Sequence, residues 1–157
     1  MAEGNWIKIE RQLTAPIGEV WRMWTDPAHF VRWYGPGGMA VSVIEMDPTI
    51  NGARRIRMKR PGPGGGMSMF FTGAFTEIDA PGRLVYTEAM CDAEGAILSP
   101  EAMGMPEGTP EVTEVSVDLA PLSGGTRIVL VHRGVPAGSP GEAGWRNALD
   151  ALAGLLD

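Results

Sequence analysis

Two residues of this chain are of the types needed for acid–base chemistry and share a strand phase with apolar neighbours: Glu88 and His132. Along Arg83 to Met90, residues Leu84, Tyr86, Glu88 and Met90 fall on one face of an extended segment. Along Thr126 to His132, residues Ile128, Leu130 and His132 share one face, and Arg127, Val129 and Val131 share the other. If the apolar members turn inward, the glutamate and the histidine turn with them. An inward carboxylate is costly unless it is paired. An imidazole opposite it would complete an acid–base couple. The competing reading places both at solvent-facing strand ends, because one bulge reverses a strand's phase.

Other chemistries lack their residues. Gly35 to Ala40 spells G-x-G-x-x-A, but a helix pattern precedes it and a strand pattern follows, the reverse of a dinucleotide site. Gly62 to Gly66 has neither the Lys-Ser/Thr nor the following helix of a phosphate loop. Two histidines, His29 and His132, and the single Cys91 give no metal-ligand spacing, so no metal and no cofactor are expected. Cys91 closes a strand, and no G-x-S-x-G elbow exists, so a nucleophile reads poorly.

The elements that must position these residues follow from periodicity. Residues 5–13 alternate as a first strand. Thr14-Ala15-Pro16 opens a helix carrying Ile17, Val20, Trp21 and Trp24, and Asp26-Pro27 caps a second short helix running to about Trp33. Strands are expected over about 39–46, 53–60, 67–78 (with Gly73 as a bulge or bend), 83–90, 112–119 and 126–132. Pro61 to Gly66 reads as a loop or hairpin tip. Residues 92–110, rich in Gly, Pro, Glu and Met, read as a long loop. Ser139, Pro140 and Glu142 spell a capping box with proline at the first helical position. Trp145, Ala148, Leu149, Leu152, Leu155 and Leu156 then form an apolar stripe on a helix of roughly 25 Å at 1.5 Å per residue. The order β-α-α-β6-α, seven strands in all, implies an α+β domain in which a curved antiparallel sheet wraps the long C-terminal helix.

This order resembles the helix-grip fold of the START and birch-pollen-allergen superfamily. The segment APIGEVWRMWTDPAHFVRWYGP (15–36) is similar to the signature of the activator of heat-shock-protein-90 ATPase homologue family. Similar pieces recur at Phe71-Thr72-Gly73-Ala74-Phe75-Thr76-Glu77-Ile78, Arg83 to Thr87, Gly125-Thr126-Arg127 and Gly144-Trp145. The ordered set spans nearly the whole chain, as one domain over 1–157. It departs from the family at Asn51-Gly52, where a double glycine is common, and in a long 91–111 loop. The separate chaperone-binding domain of the eukaryotic activator has no counterpart here.

The resemblance implies an apolar cavity between sheet and terminal helix. Strand phase then assigns its wall to Trp33, Met58, Met69, Phe71, Phe75, Tyr86, Val115, Val117, Leu130, Trp145 and Leu149, with Glu88 and His132 orienting a ligand and Met103 and Met105 forming a lid. Eight of the ten methionines lie between Met39 and Met105, as suits an adaptable wall or an irregular core. The leading expectation is binding of a small apolar molecule: a lipid, polyketide or aromatic compound. One alternative is a cyclase- or hydrolase-like enzyme using Glu88 and His132. Another is a protein-interaction or co-chaperone-like module.

Composition narrows the partners. With 157 residues the chain buries a sizeable core without a disulfide or metal. Its net charge of −6 opposes general nucleic-acid binding. The local run Arg54, Arg55, Arg57, Lys59 and Arg60 reads as a solvated strand face. No apolar run reaches the ~20 residues of a membrane span, no secretory signal is evident, and the lone cysteine suits a cytoplasmic protein. A monomer or a homodimer is expected.

Overall fold

The computed structural model describes residues 6–35, 39–60, 62–105 and 108–156. Its elements are β1 (Trp6–Leu13), α1 (Ile17–Thr25), α2 (Pro27–Phe30), β2 (Ala40–Met46), β3 (Ala53–Arg60), β4 (Met67–Asp79), β5 (Arg83–Cys91), β6 (Thr113–Leu122), β7 (Gly125–Arg133) and α3 (Pro140–Leu156). The seven strands form one antiparallel sheet in the order β1-β7-β6-β5-β4-β3-β2. Each strand from β2 to β6 pairs with its successor, through a short connection except for the β5–β6 excursion. β1 closes against β7. This is the helix-grip arrangement, with α1, α2 and α3 supplying residues to the same core as the sheet's inner face.

Alternation sets that face. Ile7, Ile9 and Leu13 on β1, Val115, Val117 and Leu119 on β6, and Ile128 and Leu130 on β7 are all buried. From the helices come Val20, Met23, Trp24, Phe30, Trp145, Ala148, Leu149 and Leu152. Each large apolar side chain so buried contributes about 1.5–3 kcal/mol. At the centre, Trp24, Phe30, Trp33, Tyr34 and Trp145 pack edge-to-face or tilted, with centroids 4.3–6.3 Å apart.

Several local expectations are corrected. α2 stops at Phe30; the segment to Trp33 is a turn, in which the Trp33 indole donates to the Met23 carbonyl at 2.8 Å. Ser139 does not cap α3. Its hydroxyl has no partner, and Glu142 instead accepts from the Gly138 amide at 2.9 Å. Leu155 leaves the apolar stripe and is exposed, while Leu156 in the same turn still packs against the core. The irregularity in the β4–β5 ladder lies between Phe75 and Glu77 rather than at Gly73. Gly73 serves a close approach of backbones: a Cβ there would stand 1.9 Å from the Thr87 carbonyl oxygen on β5. Of the two glycine-rich segments, Pro36, Gly37, Gly38 and Pro61 lie outside the described residues, and Pro63–Gly65 form a 3₁₀ turn. The long loop contains a 3₁₀ turn at Glu101–Met103, and Ile97 bridges back to Cys91. Among the described residues no helix is long and apolar enough to cross a membrane.

Candidate functional site

The inner faces of β3, β4 and β5 do not meet the first half of α3 everywhere. Between them lies a hollow of about 220 Å³. Met58, Met69 and Phe71 wall it from the sheet, Trp145 and Ala148 from α3, and Met39 from the approach to β2. Gly141 and Gly144 add almost no side chain to the helix side. The polar residues on its lining are Tyr34 and Glu88. A second hollow of about 180 Å³ lies beyond Phe71 and Glu88, which line both. Its other lining residues include Met103, Met105, Thr113 and His132.

Glu88 has partners that the sequence reading missed. Arg54 is 2% exposed, on the same inward phase of β3 as Ile56 and Met58. It is not part of a solvated basic face. Its ladder neighbour on β4 is Gly73, which presents no side chain, and Arg54 reaches past it to β5. There its Nη1 donates to Glu88 Oε2 at 3.0 Å. Its guanidinium carbon lies 3.7 Å from the centroid of the Tyr86 ring, with the Tyr34 and Phe30 rings at 5.1 and 5.3 Å. Tyr34 donates to the same Glu88 oxygen at 3.4 Å, and its hydroxyl also hydrogen-bonds that of Tyr86. Burial raises both tyrosine hydroxyls above their usual range, so they stay protonated. Burial opposes the Arg54 charge, but the tyrosine oxygens and Glu88 more than offset it. The cluster therefore sums to zero charge: one guanidinium, one carboxylate and two neutral phenols.

His132 belongs to a separate chain of hydrogen bonds. The Trp145 indole N–H donates to its Nδ1 at 2.9 Å, which makes Nδ1 the acceptor and leaves the proton on Nε2. Nε2 then faces Thr113 Oγ1 at 2.8 Å, and the threonine hydroxyl donates onward to the Glu88 backbone carbonyl at 3.2 Å. No hydrogen bond joins the Glu88 and His132 side chains; Glu88 Oε2 accepts from Arg54 and Tyr34, and both His132 ring nitrogens are engaged by Trp145 and Thr113. The acid–base couple expected from strand phase is thus not assembled.

Burial lowers the His132 pKa from its ordinary 6.5; Glu88 raises it and Arg54 lowers it by smaller amounts. Protonation would also turn Nδ1 into a second donor facing the Trp145 N–H. The folded pKa lies below the unfolded one, so the stability at stake is fully present above about pH 6.5. It is lost as pH falls from there through the folded value. Urea unfolding is expected to show stability falling as the pH drops below about 6.5, with a slope no steeper than the roughly 1.4 kcal/mol per pH unit that one proton allows. His132→Gln, which lacks the titrating ring, is expected to lose less over the same interval.

The remaining assigned residues divide by position. Met58, Met69, Phe71, Glu88 and Trp145 line the first hollow, and His132, Met103 and Met105 line the second. Trp33, Phe75, Tyr86, Val115, Val117, Leu130 and Leu149 are buried in the core and line neither. Arg54, Tyr34, Met39 and Thr113 were not anticipated. For Arg54 a signal existed, since the alternation Arg54-Ile56-Met58 carries the arginine inward with its apolar neighbours.

Comparison with known proteins places the chain. The family described as "Activator of Hsp90 ATPase homolog 1-like protein" matches over residues 14–157. A crystal structure of a Chromobacterium violaceum protein is 30% identical, covering 97% of this chain and 96% of that one, with a TM-score of 0.78. A solution structure of an Arthrobacter aurescens protein is 26% identical over 99% of this chain and 88% of that one, with a TM-score of 0.80. A Silicibacter pomeroyi protein described as AHSA1 shares the fold at 21% identity, with a TM-score of 0.71 and 96% of each chain covered. No curated protein matches. With the family match running from the end of β1 through α3, and with the seven-stranded sheet gripping that helix, this chain belongs to the activator of Hsp90 ATPase homolog 1-like family.

Proposed function

We propose that this domain binds a small hydrophobic molecule in the hollow between β3–β5 and the first half of α3. The observation that carries this reading is the lining itself: methionine, phenylalanine and tryptophan walls interrupted by Tyr34 and Glu88. Ligand sites are typically apolar with a few placed polar groups. A volume of about 220 Å³ exceeds the roughly 150 Å³ of a cavity known to accept benzene. It therefore suits an aromatic compound or a short aliphatic chain better than a whole lipid. Met103 and Met105, walling the second hollow, would act as a lid over a longer guest, since methionine adapts its shape to what it covers. A cytoplasmic setting forms part of the proposal and is supported by the free, buried Cys91.

The test is native mass spectrometry of the protein as purified, followed by uptake of apolar probes monitored through tryptophan emission. A bound or readily acquired apolar compound is expected for the wild type. Gly144→Leu, which adds a side chain on the helix wall while improving helix propensity, is expected to fold and to lose that compound. Failure of the wild type to carry or take up any apolar probe would overturn the reading.

A further inference from the structure

Glu88 uses only one of its two oxygens. Oε2 accepts from both Arg54 and Tyr34. Oε1 accepts from nothing among the described residues, and it is not among the fully buried orphan atoms. The side chain is 11% exposed and lies on the boundary shared by both hollows. A carboxylate with spare lone pairs therefore lines the space a guest would occupy, and the first hollow has only Tyr34 beside it as a polar wall residue. Oε1 keeps contact with solvent, so water satisfies it while the hollow is empty. A guest that displaces the water without donating leaves the oxygen unpaired, and a guest that donates avoids that cost.

We infer that the site selects an apolar molecule carrying one neutral hydrogen-bond donor, a phenol or an alcohol, whose hydroxyl donates to Glu88 Oε1. This deepens the proposed function and rests on the same hollow. The charge balance sets the class. The Arg54–Glu88 pair already sums to zero, so a neutral hydroxyl adds no net charge to a poorly hydrated site. A carboxylate guest would set its oxygens against an acceptor. An ammonium would be drawn to Oε1 but would bring an unbalanced positive charge beside a guanidinium 3.0 Å behind the carboxylate. An alkane or alkylbenzene would fill the hollow and leave Oε1 desolvated and unpaired.

The experiment compares isosteric probes on the wild-type protein: 4-butylphenol, butylbenzene, 4-butylbenzoate and 4-butylbenzylammonium. Affinity is read by tryptophan emission, and the site is located by the ¹³Cδ resonance of Glu88 in glutamate-labelled protein. Hydrogen bonds to charged groups predict that the phenol binds about tenfold more tightly than butylbenzene. The phenol alone of the two should shift the Glu88 ¹³Cδ resonance markedly. The two charged congeners should bind more weakly than the phenol. Equal affinity for phenol and butylbenzene, or tighter binding of either charged congener, would overturn the hydroxyl assignment while leaving an apolar site standing. No binding of any of the four would overturn both. Because the comparison needs no substitution at Glu88, misfolding of a variant cannot obscure the outcome.

Discussion

Replacing Arg54 with methionine is expected to destabilise the protein by about 3–5 kcal/mol in urea unfolding, the cost of leaving one member of a buried ion pair without its partner. The side chains of Arg54 and Glu88 are 2% and 11% exposed, so water does little to soften the loss. Methionine fills the space of the aliphatic stem but withdraws the Nη1–Glu88 bond and the cation stacked on Tyr86. Small domains have only about 5–15 kcal/mol of total stability, so the single variant should lie near the edge of folding. The informative companion is the double replacement Arg54→Met with Glu88→Leu. Swapping a whole buried pair for apolar residues of similar volume is often neutral or stabilising. The double variant should therefore recover most of the loss. If it is no more stable than Arg54→Met alone, the pair's electrostatics are not what the single substitution disturbs.

Gly73→Ala is expected to cost about 3 kcal/mol or more, beyond the usual range for overpacking, because the added methyl meets backbone rather than a movable side chain. Its Cβ would stand 1.9 Å from the Thr87 carbonyl oxygen and 2.6 Å from the carbonyl carbon. Relief requires β4 and β5 to separate next to the Ala74 amide, which donates to Thr87 Oγ1 at 3.1 Å. Thr87 sits between Tyr86 and Glu88, so the same displacement moves both polar residues that Arg54 reaches. Thermal unfolding should show the loss of stability, and the ¹³Cδ resonance of Glu88 should move even without a ligand. A Gly73→Ala protein with unchanged stability would mean that the two strands do not approach as closely as described.

The contrast between what could and could not be read from the residues has a physical basis. Alternation in β1, β5, β6 and β7 exposes the strand phase directly, because one face of each is apolar enough to announce the core. That phase places Glu88 and His132 inward. It does not say which inward residue meets which, since strand neighbours depend on sheet order and on the crossing of α3. Pairing Glu88 with His132 requires the two side chains to meet, whereas Glu88 meets Arg54 from two strands away and His132 meets Trp145 from the helix. Arg54 was misread for a different reason. Five basic residues in a stretch of seven outweigh the local period, although Ile56 and Met58 fix the inward phase as firmly as any pair in the chain. Likewise Ser139 and Glu142 spell a capping box, yet the box needs the serine to turn onto the third amide, and no composition rule secures that rotamer.

The wall supplied by α3 has a consequence for the size of the hollow. Opposite the methionines, the helix offers Gly141, Gly144 and Ala148, and the hollow exists partly because these positions stop short. A glycine inside a helix costs roughly 0.5–1 kcal/mol against alanine, so this spacing is held against the helix's own preference. On the proposed function, substitution at Gly144 or Ala148, on the helix wall and not on the strands that carry Arg54 and Glu88, resets the size of the guest without changing a sheet residue. The proposed size limit and the proposed polar contact thereby fall on different elements and can be altered one at a time.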